Sequence, residues 1–374
     1  MPQPNTHYLV IEEALKYHPD GTWQTKSNFA GFGSFGPDLF YVLGVPHVPG
    51  LRRKYPKDYT LVSDVMHWEA SLDFFCCMLD DIKHSMKDKI DKDKTDKQKA
   101  FAYGYYSHVV TDAVFHPFIY RRTKDRWEQH FTPEYNKHKK LESLIDAYQL
   151  GRRGENPYTF GYQNKVECHK QGSGRTLDED VFKLLHHCLA ETYGRSLFER
   201  HGIDYQKFFG QDPRETRHPI LEAYRDFISS FRKLYGFGRY VPQRLNPLVP
   251  ITRINKKQRN ELDPEPRRKW YPSDNPLMPD YSVPELFEFA VKAMKMVIDA
   301  SERFFSSDAT SARAFFSQNA QNVVFLDDNY NFDTGLPSSK NPEIIKISGN
   351  IDKRFDYGLD MLSRNYRTID AYVV

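Results

Sequence analysis

The 374-residue chain is sparing in the features that usually place a protein quickly. It has four cysteines, Cys76, Cys77, Cys168 and Cys188, two of them adjacent and none in a CxxC pair. Neither a disulfide framework nor a thiolate zinc site is expected, so any metal must be held by nitrogen and oxygen. Charge of one sign is also missing: 53 basic and 50 acidic residues leave a net +3, which neither demands nor excludes a nucleic acid. No run approaches the ~20 apolar residues that span a bilayer. There is no sustained apolar–polar alternation to mark strands and no internal repeat. The glycines between positions 31 and 36 lack the following Lys-Ser/Thr of a phosphate loop, and no GxSxG elbow occurs. The opening MPQPNTHYLVIEEAL has no basic region, apolar run and small-residue cleavage site. The expectation is a cytoplasmic protein for the sequence as it stands, or a secreted one if a signal has been removed.

What is present is aromatic and helical. Aromatics make up 15% of the chain and hydrophobic residues 39%, enough for a core at this length. Tyr8, Val10, Ile11, Ala14 and Leu15 recur at helical spacing behind Asn5 or Thr6 as N-cap. A glycine-rich turn is expected from Ala30 to Asp38, and one long apolar-periodic helical segment over residues 62 to 85 with Trp68, Leu72, Phe75, Cys76 and Leu79 on one side. Residues 86 to 99, almost all lysine and aspartate, suggest a solvated connection or frayed helix ends. Further helices are expected over 97–116, 134–150, 178–200, 214–235 and 284–306. Between 237 and 282 prolines and charges crowd together. A solvated surface excursion is favoured there over a membrane contact through Trp270, Tyr271 and their basic neighbours. The resulting organisation is a helical catalytic domain over 1–236, a Pro-rich basic excursion over 237–282, and a C-terminal helical extension over 283–374 packed on the core.

The chemistry concentrates in His108, Asp112 and His116, spaced i, i+4, i+8 with mostly apolar residues between. On a helix these line one stripe in buried surroundings. A buried carboxylate between two imidazoles calls for positive charge, which a divalent metal supplies. His138 and Glu142 repeat the i, i+4 spacing, a workable pair for zinc. Asp146, one turn on, is expected at the surface or as a hydrogen-bond acceptor behind the ligands. Taken singly, His67 in its apolar segment is more often a core histidine. His186 and His187, beside Cys188, are expected to be structural. Phe35, Phe40, Tyr41, Trp68, Tyr105, Tyr106 and Phe115 could line a cleft near the ligands, although most such aromatics are core.

In this order, Thr6-His7 opening a helix, Pro37-Asp38-Leu39-Phe40-Tyr41, His67, HxxxDxxxH at 108–116 and HxxxE at 138–142, the chain resembles the zinc-dependent phospholipase C family. The resemblance runs over roughly residues 5 to 145. It extends to the glycosylphosphatidylinositol phospholipase D branch and, more distantly, to fungal single-strand nucleases. It implies an all-α, multi-helix phospholipase C/nuclease-like bundle with a trinuclear zinc site, two to three Zn2+ per chain. By that resemblance His67, His108 and Asp112 hold one zinc, and His116, His138 and Glu142 a second. His7 holds a third with Asp112 as the bridging carboxylate, and Asp38 is a candidate general base or water-orienting group. The implied activity is hydrolysis of a phosphodiester, most readily in a phospholipid met transiently at a membrane surface, with no specific nucleic acid expected. The alternatives are a single-strand nuclease or nucleotidase, and a non-catalytic lipid- or protein-binding member of the fold.

Two departures from the small secreted relatives stand out. Those space the last histidine as HxxxDx5H, whereas HxxxDxxxH here looks like the phospholipase D branch. Pro117 is expected to bias His116 out of helical geometry, toward the second metal. The relatives also bring an N-terminal tryptophan to the third zinc; the amine of Pro2 is the candidate in its place.

Overall fold

Fourteen helices order the chain among the described residues, and only two two-residue strands join them. The computed structural model describes residues 4–16, 18, 22–44, 59–87, 91–123, 133–169, 176–210, 218–237, 251–263, 281–319, 330–331 and 336–337. The helices are α1 Pro4–Leu15, α2 Thr22–Gly33, α3 Thr60–Trp68, α4 Ser71–Lys87, α5 Lys92–Thr123, α6 Pro133–Arg152, α7 Pro157–Phe160, α8 Tyr162–Lys165, α9 Glu179–Arg200, α10 Tyr205–Phe209, α11 Pro219–Phe237, α12 Lys256–Leu262, α13 Val283–Ser306 and α14 Ala312–Asn319. A 3-10 helix, Gly36–Gly44, lies between α2 and α3. The strands β1 Tyr330–Asn331 and β2 Leu336–Pro337 pair antiparallel. The protein is all-α.

Helix α5 is the axis of the bundle. It packs against α1, α2, α4, α6, α9 and α13, and residues 101 to 120 are buried without interruption. Such all-round burial explains its lack of a single apolar face. Its crossing with α2 is close because of glycine. A Cβ on Gly104 would lie 2.1 Å from the Ala30 carbonyl oxygen, and one on Gly33 would lie 2.2 Å from that of Phe101. No side chain fits at either position without moving a backbone. The stretch expected to be a glycine-rich turn is therefore helical as far as Gly33, its glycines serving helix packing rather than a loop.

Other expectations shift in the same way. The segment 62–85 is not one helix: Glu69 is extended and Ala70 takes a positive φ of 54°. The Ser71 hydroxyl donates back to the Met66 carbonyl. The apolar period carries on across this break, so it could not reveal it. Of the two readings of residues 86 to 99, the helix-end one holds for 92 to 99, which are the first turns of α5, and their lysines reach acidic partners, as in Lys99–Glu302 and Lys97–Asp93. Helix α9 carries a non-helical Gly194. Asn5 and Thr6 do not cap α1; they are buried inside its first turn. The helix runs through Pro117 to Thr123. An interior proline costs about 3 kcal/mol, and the buried Val114, Phe115, Phe118 and Ile119 around it make the core contacts that outweigh it.

Helix α13 begins at a capping box of Ser282 and Glu285 and packs on α1 and α5. Glu302 ties it to α5 by accepting from Lys99 and from the Tyr103 hydroxyl at 2.5 Å. Of the 237–282 segment only 237, 251–263 and 281–282 fall among the described residues, with Trp270 and Tyr271 outside them. No helix among the described residues is long and apolar enough to cross a membrane.

Candidate metal centre

Helices α1, α3, α5 and α6 and the 3-10 helix each deliver part of one buried cluster. Helix α5 supplies His108, Asp112 and His116, one turn apart. Asp112 is central: His108 Nε2 stands 3.1 Å and His67 Nε2 3.8 Å from its Oδ2, while His7 Nε2 stands 3.4 Å and His116 Nε2 3.7 Å from its Oδ1. Each oxygen thus faces a different pair of histidines. Both oxygens are buried and accept no hydrogen bond among the described residues. A buried carboxylate left in that state is costly unless a cation meets it.

The imidazoles are oriented by backbone carbonyls. His67 Nδ1–H donates to the Ser63 carbonyl one turn earlier in α3, at 2.7 Å. His108 Nδ1–H donates to the Ser34 carbonyl at 2.9 Å. Ser34 follows α2 directly, so the close α2–α5 crossing at Gly104 sets the orientation of His108. Each ring therefore turns an Nε2 lone pair inward, and the two Nε2 atoms lie 3.3 Å apart. Two neutral imidazoles in this tautomer cannot hydrogen-bond to each other through those atoms; a shared cation removes the repulsion. His7 and His108 stack face to face with ring centroids 4.0 Å apart.

Asp38 sits on the first turn of the 3-10 helix, whose Phe40 N–H is anchored to the Ser63 hydroxyl at 3.1 Å. Its Oδ1 is 3.4 Å from His67 Nε2. Burial alone would raise its carboxyl, but the facing His108 and His67 outweigh that and hold it below the usual value. On α6, His138 Nε2 and Glu142 Oε1 are 2.7 Å apart, and His116 Nε2 is 4.0 Å from the same oxygen. Lys139 holds the other oxygen at 3.2 Å. Burial depresses the pKa of both His116 and His138 well below the ordinary histidine value, so both rings are neutral and free of the proton that would bar them from a metal.

Donor atoms close enough to share an ion fall into three groups: His7, His108 and Asp112; Asp38, His67 and His108; and His116, His138 and Glu142. All eight positions singled out in the sequence therefore converge. Two details differ from expectation. Asp38 is as well placed to be a ligand as to act on water. His116 reaches His138 and Glu142 from within an unbroken α5, without swinging out at Pro117. Pro2 lies outside the described residues.

Asp146 is neither exposed nor a ligand. It is buried on α6 one turn beyond Glu142, and it accepts four hydrogen bonds from the start of α1. The donors are Asn5 N at 3.1 Å, Asn5 Nδ2 at 2.9 Å, Thr6 N at 2.9 Å and the Thr6 hydroxyl. Its carboxylate is thus the N-terminal cap of α1, supplied from another helix, and it fixes the turn that carries His7. Burial pushes its carboxyl up to about 7, against the pull of these donors. The DxxxH/HxxxE pattern carries no sign of this role. Of the aromatics expected near the ligands, Phe35, Phe40, Tyr105, Tyr106 and Phe115 are core residues. Tyr41 does lie against the His67 ring, centroids 5.8 Å apart. The sequence missed Tyr120, four residues after His116, which packs on both His116 and His138.

Comparison with known proteins agrees with this geometry. No curated protein and no solved structure matches the chain. The family model for zinc dependent phospholipase C matches residues 6–203, a span that holds every residue of the cluster. The chain belongs to the zinc-dependent phospholipase C family.

Proposed function

We propose that the protein is a phospholipase C that holds two to three zinc ions and cleaves the phosphodiester between the glycerol and the head group of a phospholipid at a membrane surface. Asp112 carries this assignment: a buried carboxylate with no hydrogen-bond donor among the described residues, its two oxygens facing four histidines. The residues fit a cluster of cations that would be held by Asp112 with His67, His108 and His7, by Asp38 beside His67, and by His116, His138 and Glu142. Zinc bound there lowers the pKa of water toward ~7 and offsets phosphate charge.

The chain's own residues do the rest. The Ser63 and Ser34 carbonyls hold His67 and His108 in the ligand tautomer. Asp38 enters from a separate element with an oxygen that accepts no hydrogen bond among the described residues. It can therefore orient the attacking water and take its proton while the phosphodiester is held in line. Burial of the whole set strengthens these interactions.

The test uses the full chain after dialysis, with zinc counted per chain. It is then assayed on phosphatidylcholine and phosphatidylinositol vesicles, single-stranded DNA and a chromogenic phosphodiester. Two to three zinc ions with release of diacylglycerol and a phosphorylated head group is the expected result. Phosphatidic acid as product would overturn C-type cleavage. Preference for the DNA would make the protein a nuclease, and absence of zinc would remove the enzymatic assignment altogether.

A further inference from the structure

The two oxygens of Glu142 meet different partners. His138 lies four residues before Glu142 on α6 and Lys139 three, so one helical turn brings an imidazole and an ammonium to the same carboxylate. Oε1 faces the metal group, 2.7 Å from His138 Nε2 and 4.0 Å from His116 Nε2. Oε2 accepts from Lys139 Nζ at 3.2 Å. The Glu142 side chain is 1% exposed and that of Lys139 30%, so the ammonium reaches inward from the surface to the second oxygen of a buried ligand. Asp112 is arranged otherwise: neither of its oxygens accepts a hydrogen bond among the described residues, and each faces two imidazoles. Lys140, next along the helix, is exposed.

On the zinc reading given above, we propose that Lys139 is a positioning residue: it limits Glu142 to one metal bond, so that the ion held by His116, His138 and Glu142 keeps a coordination position for water or a phosphate oxygen. Donor number sets what a bound zinc can do. Three protein ligands leave a fourth position open, as in catalytic sites, whereas four protein donors close the ion off as a structural one. His116, His138 and one oxygen of Glu142 make three; the second oxygen, once released, makes four. A carboxylate oxygen whose charge is already met by an ammonium is the poorer metal donor. Lys139 also sets a positive charge beside the ion, which disfavours zinc and favours an anionic phosphodiester. Burial first, with Lys139 among the lesser causes, lowers the pKa of His116 and His138, so the field of the lysine reaches both rings.

The experiment compares the full chain with Lys139→Met, Lys139→Arg and Lys140→Met, each loaded with zinc. Crystal structures read how many Glu142 oxygens sit on the ion, chelator competition reads its affinity, and the phosphodiester assay reads turnover. In the unaltered protein one oxygen should lie within about 2.2 Å of zinc while the other stays with Lys139. In Lys139→Met both should lie on the ion. Zinc should then be held at least as tightly, while turnover falls on the order of 10- to 100-fold. Lys139→Arg, which keeps a donor for Oε2, should recover most of that loss, and Lys140→Met should match the unaltered protein. Weaker zinc binding together with lost turnover in Lys139→Met would make Lys139 a support for the ligand helix and overturn the proposal. Unchanged turnover in Lys139→Met, or two Glu142 oxygens on zinc in the unaltered protein, would also overturn it. No ion at this group in the unaltered protein would instead overturn the zinc reading itself.

Discussion

Among the described residues the protein packs histidine rings against one another and away from water in two places, and only one of them faces carboxylates. At the metal centre five imidazoles surround Asp112, Asp38 and Glu142. In the second place, His186 and His218 meet at a centroid separation of 5.1 Å among Phe182, Phe208 and Phe209. No acidic group is found between the two rings among the described residues. Both His186 and His218 keep a buried Nε2 without a hydrogen-bond partner among the described residues. Burial disfavours the charged ring in both places. The lesson is that burial makes an imidazole neutral, but a carboxylate with open lone pairs makes the pocket want a cation. The aromatic nest offers no anion to hold a cation; the centre offers three groups of donor atoms that could hold one.

The comparison breaks most severely if Asp112 loses its charge. Asp112→Asn keeps size and shape but removes the anion that both histidine pairs face. Phosphodiesterase activity should fall on the order of 10³-fold or more, about 4 kcal/mol of barrier, and zinc per chain should drop with it, measured by elemental analysis. Asp38→Asn sharpens the contrast inside the centre. It should keep the metal and lose on the order of 10²-fold in turnover. Loss of zinc as well would make Asp38 a ligand to the ion held by His67 and His108. No substitution in the aromatic nest should alter zinc content.

Next in size is Asp146→Ala, which leaves the donors of Asn5 and Thr6 buried without their acceptor. Unpaired buried donors cost about 1–3 kcal/mol each where water cannot reach them, so a stability loss of about 3 kcal/mol is expected by denaturant titration. Because Asp146 acts through the turn bearing His7, one zinc should also bind about 10- to 100-fold more weakly, read by chelator competition. Asp146→Asn, which retains an acceptor oxygen, should recover part of both. Unchanged zinc affinity with lowered stability would leave Asp146 a cap for α1 with no part in placing the ligand.

The two clusters also differ in how far the sequence revealed them. The i, i+4 spacing of His108, Asp112, His116, His138 and Glu142 survives translation into structure because one helix face preserves it. The bundle and most helices were legible by the same periodicity. Long-range placement was not. Asp146 is 141 residues from Asn5, and nothing local marks it as the cap of α1. The break at Ala70 leaves the apolar period intact. Pro117 signalled an end that core packing overrode, and Ala30 to Gly33 looked like a turn because close helix crossing and turns both call for glycine. The meeting of His186 with His218 depends on the packing of separate segments, which spacing along the chain does not encode.

The smallest expected effect tests the aromatic nest alone. His218 precedes α11, and its Nδ1 accepts from Ile220 N–H at 3.3 Å, so a proton there would both break this contact and place a charge among phenylalanines. Burial, with His186 adding to it, lowers the His218 pKa to about 4. Unfolded, the same ring titrates near 6.5. Below that pH the unfolded chain takes up a proton that the folded one refuses until about pH 4. The contribution of His218 is therefore fully present above pH 6.5 and is lost as pH falls through this window, by about 2 kcal/mol. His218→Asn can still accept from the helix N-terminus but does not titrate. The difference in unfolding free energy between the two proteins, measured with zinc saturating, should shift in favour of the variant by about that amount between pH 7 and pH 4.5. A pH-independent difference would mean that folding leaves the pKa of His218 unshifted, and the contrast between a neutral nest and a cation-binding centre would fail at its weaker end.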